Sequence, residues 1–144
     1  MTKYEYMQMA LELAKKGMGQ TSPNPMVGCV VVKDGEIVTQ GYHERYGEYH
    51  AERNALTRYE GDLTGAEMYV TLEPCAMCAA AIAHSRISNL YIGTFNIDMG
   101  ACGTVINLLD YDIFNSRVNT NWCYDKRCSD MLTKFFDTRR KNKK

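Results

Sequence analysis

Two short stretches of this sequence hold side chains able to do chemistry together: His50-Ala51-Glu52 and Pro74-Cys75-Ala76-Met77-Cys78. An imidazole and two thiolates are borderline or soft donors of the kind zinc prefers. Three protein ligands leave a fourth tetrahedral position for water, as catalytic zinc requires and closed structural zinc does not. The other imidazoles are His43 and His84, and His84 falls too far along its expected helix to join the cysteines. Cys75 and Cys78, three apart in the first turn of a helix, share a face. A helix N-terminus also favours the thiolate form that binds metal. Glu52 lies two residues past His50, an offset that does not share a helical face with it, so Glu52 is expected to miss the metal and reach its water. Zinc lowers the pKa of that water toward about 7, and a pocket carboxylate with a raised pKa can move the proton. Two other readings of the same residues stand. A Cys-x-x-Cys pair alone also serves thiol oxidoreductases, which predicts a Cys75–Cys78 disulfide. A zinc-stabilised, non-catalytic binding protein would use the ligands but not Glu52.

The elements that must position these groups follow from periodicity and punctuation. The spacing predicts a first helix from Thr2, an acceptable cap, to about Lys16, with Met7, Leu11 and Ala14 on its inner side. Gly17 and Gly19 end it, and Thr21-Ser22-Pro23-Asn24-Pro25 cannot continue it. Val27 to Lys33 reads as a buried strand, Asp34-Gly35 as a hairpin turn and Glu36 to Tyr42 as the return strand. A helix is expected over 50–58, a strand over 68–72, and an Ala-rich helix from near Cys75 through Ala83. A strand over 89–93, a loop with a short helix over 100–109, a strand over 117–121 and a last helix over 125–140 complete the chain. That last helix is expected to turn Cys128, Met131, Leu132, Phe135 and Phe136 inward. Helix, hairpin, then alternating helix and strand give an α/β fold: a three-layer α/β/α sandwich around a mixed five-stranded sheet.

Composition sets the outer bounds. The 144 residues are 45% apolar and 24% charged, with 17 basic and 17 acidic side chains in balance. Residues 1–144 are expected to form a single domain with a continuous core. Collagen, a disordered tail and a disulfide miniprotein are excluded on composition. No apolar run reaches the roughly 18 residues that span a bilayer, and the N-terminal stretch lacks the apolar centre of a signal peptide. The expectation is therefore an intracellular, cytoplasmic protein with no membrane partner. Charge balance argues against a general nucleic-acid coat and leaves room for a local basic patch. Of six cysteines, Cys29 sits in an apolar run and reads as a buried hydrophobe. Cys102, Cys123 and Cys128 lack partners at ligand spacing and read as packing residues.

H-x-E followed by P-C-x-x-C is the signature by which zinc-dependent nucleobase deaminases are recognised, and this chain resembles the cytidine deaminase-like superfamily over nearly its whole length. The resemblance implies a hydrolytic deaminase: His50, Cys75 and Cys78 hold Zn2+, hydroxide attacks an amino-bearing ring carbon, and Glu52 carries protons to the ring nitrogen and the departing ammonia. The N-terminal half is similar to the riboflavin-pathway pyrimidine deaminase through Thr21-Ser22-Pro23-Asn24-Pro25-Met26-Val27-Gly28-Cys29, Gly41 to Glu52, and Tyr69 to Cys75. That similarity implies that Asn24 and His43 line the substrate pocket. The C-terminal half resembles bacterial tRNA adenosine deaminase through Leu72 to Ile82, His84-Ser85-Arg86-Ile87, Cys128, Phe135-Phe136 and Arg139-Arg140. In that branch the last helix helps contact tRNA, which gives the basic end (Arg139, Arg140, Lys141, Lys143 and Lys144) a possible partner. The riboflavin-pathway enzymes carry a longer insert with basic residues between the two cysteines, where this chain has only Ala76 and Met77. The tRNA enzymes carry an Asn after the second strand, where this chain has Gly41-Tyr42-His43. Pocket residues decide substrate more than frame residues do. The expected substrate is therefore a small aminated heterocycle (base, nucleoside or nucleotide), a riboflavin-pathway-like aminopyrimidine first. A tRNA wobble adenosine or single-stranded nucleic acid comes second. Homodimerisation is implied by the resemblance.

Overall fold

Thr2 opens the first helix with a reciprocal cap. Its hydroxyl accepts the Glu5 N–H at 3.1 Å, and the Glu5 carboxylate accepts the Thr2 N–H at 3.3 Å, satisfying donors that a helix start leaves free. The computed structural model describes residues 1–110 and 116–141, with side chains as far as Arg139. Its elements are α1 (Lys3–Lys15), β1 (Gly28–Lys33), β2 (Glu36–Tyr42), α2 (Ala51–Thr57), β3 (Glu67–Leu72), α3 (Ala76–His84), β4 (Asn89–Thr94), a 3-10 turn (Leu108–Asp110), β5 (Asn119–Trp122) and α4 (Lys126–Lys141).

The five strands form one mixed sheet in the order β2-β1-β3-β4-β5. β1 pairs antiparallel with β2 and β3; β3, β4 and β5 run parallel. Asp34 and Gly35 both take positive φ, 53° and 79°, as the turn signal between β1 and β2 demands. Side chains alternate across the sheet with period 2. Cys29, Val31, Met68, Val70, Leu90 and Ile92 face one core, closed by α2 and α3. Val30, Val32, Tyr69 and Tyr91 face the other, closed by Tyr6, Met7, Ala10 and Leu11 of α1 and Cys128 of α4. The result is the expected three-layer sandwich. Tyr69 stacks on Tyr91 at 4.6 Å and meets Tyr6 at 5.0 Å, offset aromatic contacts that add to the area they bury.

α4 is stapled to α1 at its first turn. The Arg127 guanidinium lies 3.6 Å from the Tyr4 ring centroid, donates to Gln8 Oε1 at 2.7 Å and pairs with Asp125 at 2.5 Å. Beyond that turn the helix departs from expectation. Cys128 is buried and Met131 packs on the core, but Phe135 and Phe136 are only partly covered. Ser129, Leu132, Thr133, Phe136 and Arg139 instead line a surface groove. The physical reason is that successive turns of α4 leave the sheet and run beside the loop that follows β4. β5 is shifted by two residues from its expected start, because Asn-Thr-Asn-Trp carries no alternating apolar pattern and its limits are set by pairing with β4. Arg140 and Lys141 side chains, Lys143 and Lys144 lie outside the described residues. Among the described residues no helix is long and apolar enough to cross a membrane.

α2 lies against β2 at Gly41, where a Cβ would come within 2.7 Å of the Ala51 carbonyl and the Ala55 N–H. Backbone cannot yield cheaply there, so Gly41→Ala is expected to push the start of α2 off the sheet. Overpacking of this kind costs about 1–3 kcal/mol. A fall in the urea midpoint together with lost zinc affinity is the expected outcome; wild-type values for both would show that α2 is not seated through this glycine.

Candidate active site

The two motif stretches meet because each ends a chain connection at the same edge of the sheet. His50 is the N-cap of α2 and Cys75 the N-cap of α3. α3 starts just past the C-terminal end of β3, the edge where open α/β sheets bind ligands. His50 Nδ1 lies 3.6 Å from both Cys75 Sγ and Cys78 Sγ, and all three donor atoms fall within 4.8 Å of one another. Tetrahedral zinc with Zn–N near about 2.0 Å and Zn–S near about 2.3 Å sets an N and an S roughly 3.6 Å apart. The donor set and its spacing therefore fit zinc. Cys75 and Cys78 are free thiols. The Cys78 hydrogen bond and then His50 hold Cys75 down to about 3, while the same contact and burial push Cys78 up. The Cys75 hydrogen bond raises His50.

Glu52, in the first turn of α2, is 3% exposed, and its Oε1 is a buried oxygen with no hydrogen-bond partner. Burial first, then the neighbouring Cys75 charge, pushes the carboxyl up to about 7. An unpaired buried carboxylate oxygen is costly, so it marks a position held for another molecule.

Asn24 and His43 line a cavity of about 70 Å³ together with His50, Glu52, Glu73, Cys75 and Asn96, and the His43 ring meets the His50 ring edge-on at 5.2 Å. Asn24 is set by a turn: its N–H donates to Thr21 O and Thr21 Oγ1 donates to Asn24 O, both at 2.8 Å. His43 is 2% exposed, not the surface residue that a strand end alone would suggest. Its Nδ1 faces the Tyr49 carbonyl at 3.0 Å and its Nε2 faces Asn24 Nδ2 at 3.4 Å. A carbonyl only accepts, so Nδ1 carries the proton and Nε2 accepts from the Asn24 amide. That fixes the amide's orientation and leaves Asn24 Oδ1 as the acceptor for a ligand. The structure thus brings all six sequence-predicted residues, His50, Glu52, Cys75, Cys78, Asn24 and His43, to one place.

Sequence reasoning missed Glu73, Asn96 and Met99, which share this cavity, and the groove of about 590 Å³ that opens from it. A signal existed for Glu73, a lone carboxylate ending the buried run Val70-Thr71-Leu72. None existed for Asn96 and Met99, which sit on an aperiodic loop.

A carboxylate beside a His-Cys-Cys cluster, at the end of a parallel strand pair in a mixed sheet, matches a known class. Residues 1–94 match the cytidine and deoxycytidylate deaminase zinc-binding region, and the chain belongs to that family. It is 50% identical over 100 residues to the riboflavin biosynthesis protein RibD of Actinobacillus pleuropneumoniae, covering 65% of this chain and 27% of that protein. The crystal structure of a diaminohydroxyphosphoribosylaminopyrimidine deaminase/5-amino-6-(5-phosphoribosylamino)uracil reductase from Thermotoga maritima superposes with a TM-score of 0.78 at 34% identity, over 93% of this chain and 40% of that one. A structure from studies of A-to-I editing by tRNA:A34 deaminases gives a TM-score of 0.77 at 28% identity, over 90% of this chain and 99% of that one. The chain therefore spans 27% of the first of these riboflavin-pathway proteins and 40% of the second.

Proposed function

We propose that residues 1–144 form a single zinc-dependent deaminase domain that hydrolyses an aminated heterocycle to the oxo compound and ammonia, a riboflavin-pathway-like aminopyrimidine being the preferred substrate. One observation carries the reading: Glu52 Oε1 is buried beside the three donor side chains and has no partner of its own. A purely structural metal site has no use for such an atom. Zinc held by His50, Cys75 and Cys78 supplies a Lewis acid that brings water's pKa toward about 7. Glu52 takes a proton from the attacking water, delivers it to the ring nitrogen next to the reacting carbon, and assists proton delivery to the amino group as the C–N bond breaks. Its position near neutrality suits both directions of transfer. Asn24, with its amide turned by His43, offers Oδ1 to an N–H on the ring edge.

Identity to the riboflavin-pathway proteins and the Asn24–His43 pair support the pyrimidine. A second reading, a tRNA wobble adenosine or single-stranded nucleic acid, is favoured by the apolar groove running on from the cavity past Phe95, Met99, Leu132 and Phe136, which has room for groups attached to the ring. A homodimer in the cytoplasm accords with both readings; exposed apolar side chains at Met77, Val105 and Ile106 support pairing. The test is ammonia release from a panel of aminated bases, nucleosides, phosphoribosyl aminopyrimidines and anticodon stem-loops. The aminopyrimidine is expected to lead by kcat/KM. A stem-loop in first place would establish the second reading, and silence across the panel with zinc bound would remove the hydrolytic one.

A further inference from the structure

Glu73 is 2% exposed and directly follows β3, beside the cavity. Its two oxygens accept four hydrogen bonds from a single loop. Oε1 takes the Asn96 N–H at 3.0 Å and the Thr104 hydroxyl in a short contact; Oε2 takes the Cys102 N–H at 3.0 Å and the Thr104 N–H at 3.1 Å. The three backbone groups can only donate, so both carboxyl oxygens act as acceptors. No cation pairs with it among the described residues. A buried carboxyl group is costly unless it is hydrogen-bonded, and the hydrogen bonds of this one go to a loop rather than to the core. Gly100 confirms how closely the loop wraps the carboxylate: a Cβ there would stand 2.4 Å from Glu73 Cδ and Oε1.

The loop so held forms part of the wall that the cavity shares with the groove, through Asn96 and Met99. Asn96 is fixed twice. Its N–H is on Glu73, and its Oδ1 accepts the Asp98 and Met99 N–H groups, each at 3.2 Å. Its side-chain amide NH2 is left as the group available to a bound molecule.

We propose, resting on the reading of this cavity as the ring's site, that Glu73 is a positioning residue for substrate: its carboxylate anchors the 96–104 loop and so places the Asn96 amide as a hydrogen-bond donor to the ring or its substituent. Glu73→Gln sets an amide NH2 against backbone donors and releases the loop without touching the zinc ligands. Expected are full zinc content, hydrogen exchange at least about tenfold faster at the Asn96, Cys102 and Thr104 amides with the sheet unchanged, and a KM raised about tenfold with kcat held within about threefold. Thr104→Val, which removes only the hydroxyl donor, is expected to shift exchange and KM the same way by less. It decides the matter should Glu73→Gln fail to fold. Wild-type exchange and KM in the variant that folds would overturn the proposal. So would a joint loss of zinc, kcat and melting temperature, which would make Glu73 a general core residue. If the wild type deaminates nothing on the panel, the functional reading falls, while the exchange measurement still decides whether Glu73 anchors the loop.

Discussion

Glu52→Gln is expected to lower kcat on the best substrate by about 10³-fold, within the range that positioned acid–base groups contribute, while leaving one zinc per chain. Glutamine matches glutamate in shape, so the wall of the cavity stays filled. It cannot take a proton from water or return one to the ring, so both halves of the transfer fail. The ligand cluster does not depend on it: His50 Nδ1 and the two sulfurs stand within 4.8 Å of one another, and Glu52 lies beside them. Nor should stability suffer, because the substitution replaces a buried carboxyl whose ionisation burial already opposes. Metal analysis, steady-state kinetics and a melting curve on the same preparation check the three parts. Loss of zinc in this variant would make Glu52 a ligand or a structural prop and would end its role as a proton carrier.

Much of the scaffold is legible in the sequence because short-range physics dictates it. Thr2 ahead of a helically spaced apolar pattern announces a capped helix start. Asp34-Gly35 announces the hairpin, and Val30-Val31-Val32, flanked by turn signals, reads as a strand covered on both faces. The ligand cluster is legible for a related reason: His50 and Cys75 are helix-capping positions, so their side chains lie where the chain leaves the sheet edge. What the sequence does not reveal is whatever depends on meetings between distant segments. The His43–Asn24 hydrogen bond joins the end of β2 to a proline-flanked turn, and neither segment carries a periodic signal. The four donors on Glu73 come from a loop 23 to 31 positions away, which only the finished sheet brings alongside. In α4 the pattern of Cys128, Met131, Leu132, Phe135 and Phe136 is that of an amphipathic helix. Periodicity assigns an apolar face without saying whether sheet or groove meets it. Here the first turn meets the sheet and later turns meet the groove.

Cys78→Ala is expected to abolish both zinc retention and ammonia release while leaving the fold in place. Cys78 is fully buried in the first turn of α3, and alanine is the best helix former, so the helix survives with a small void where the sulfur was. Two donors remain. Losing one of three protein ligands from a site otherwise open to solvent is expected to weaken zinc binding by at least about 10³-fold, well beyond the 10–100-fold that outer-shell changes cost. The consequence reaches stability by mass action. A metal bound only to the folded chain, at about 1,000 times its dissociation constant, stabilises by about 4 kcal/mol, so the wild type should melt lower in a strong chelator. The Cys78→Ala chain should already melt at that lower temperature and ignore the chelator. Cys123→Ser serves as the control, since Cys123 is exposed and outside the cluster; it should keep zinc, activity and the chelator response. Cys78→Ala protein purified with stoichiometric zinc and a wild-type response would mean the metal sits elsewhere, and with it the chemistry assigned to Glu52.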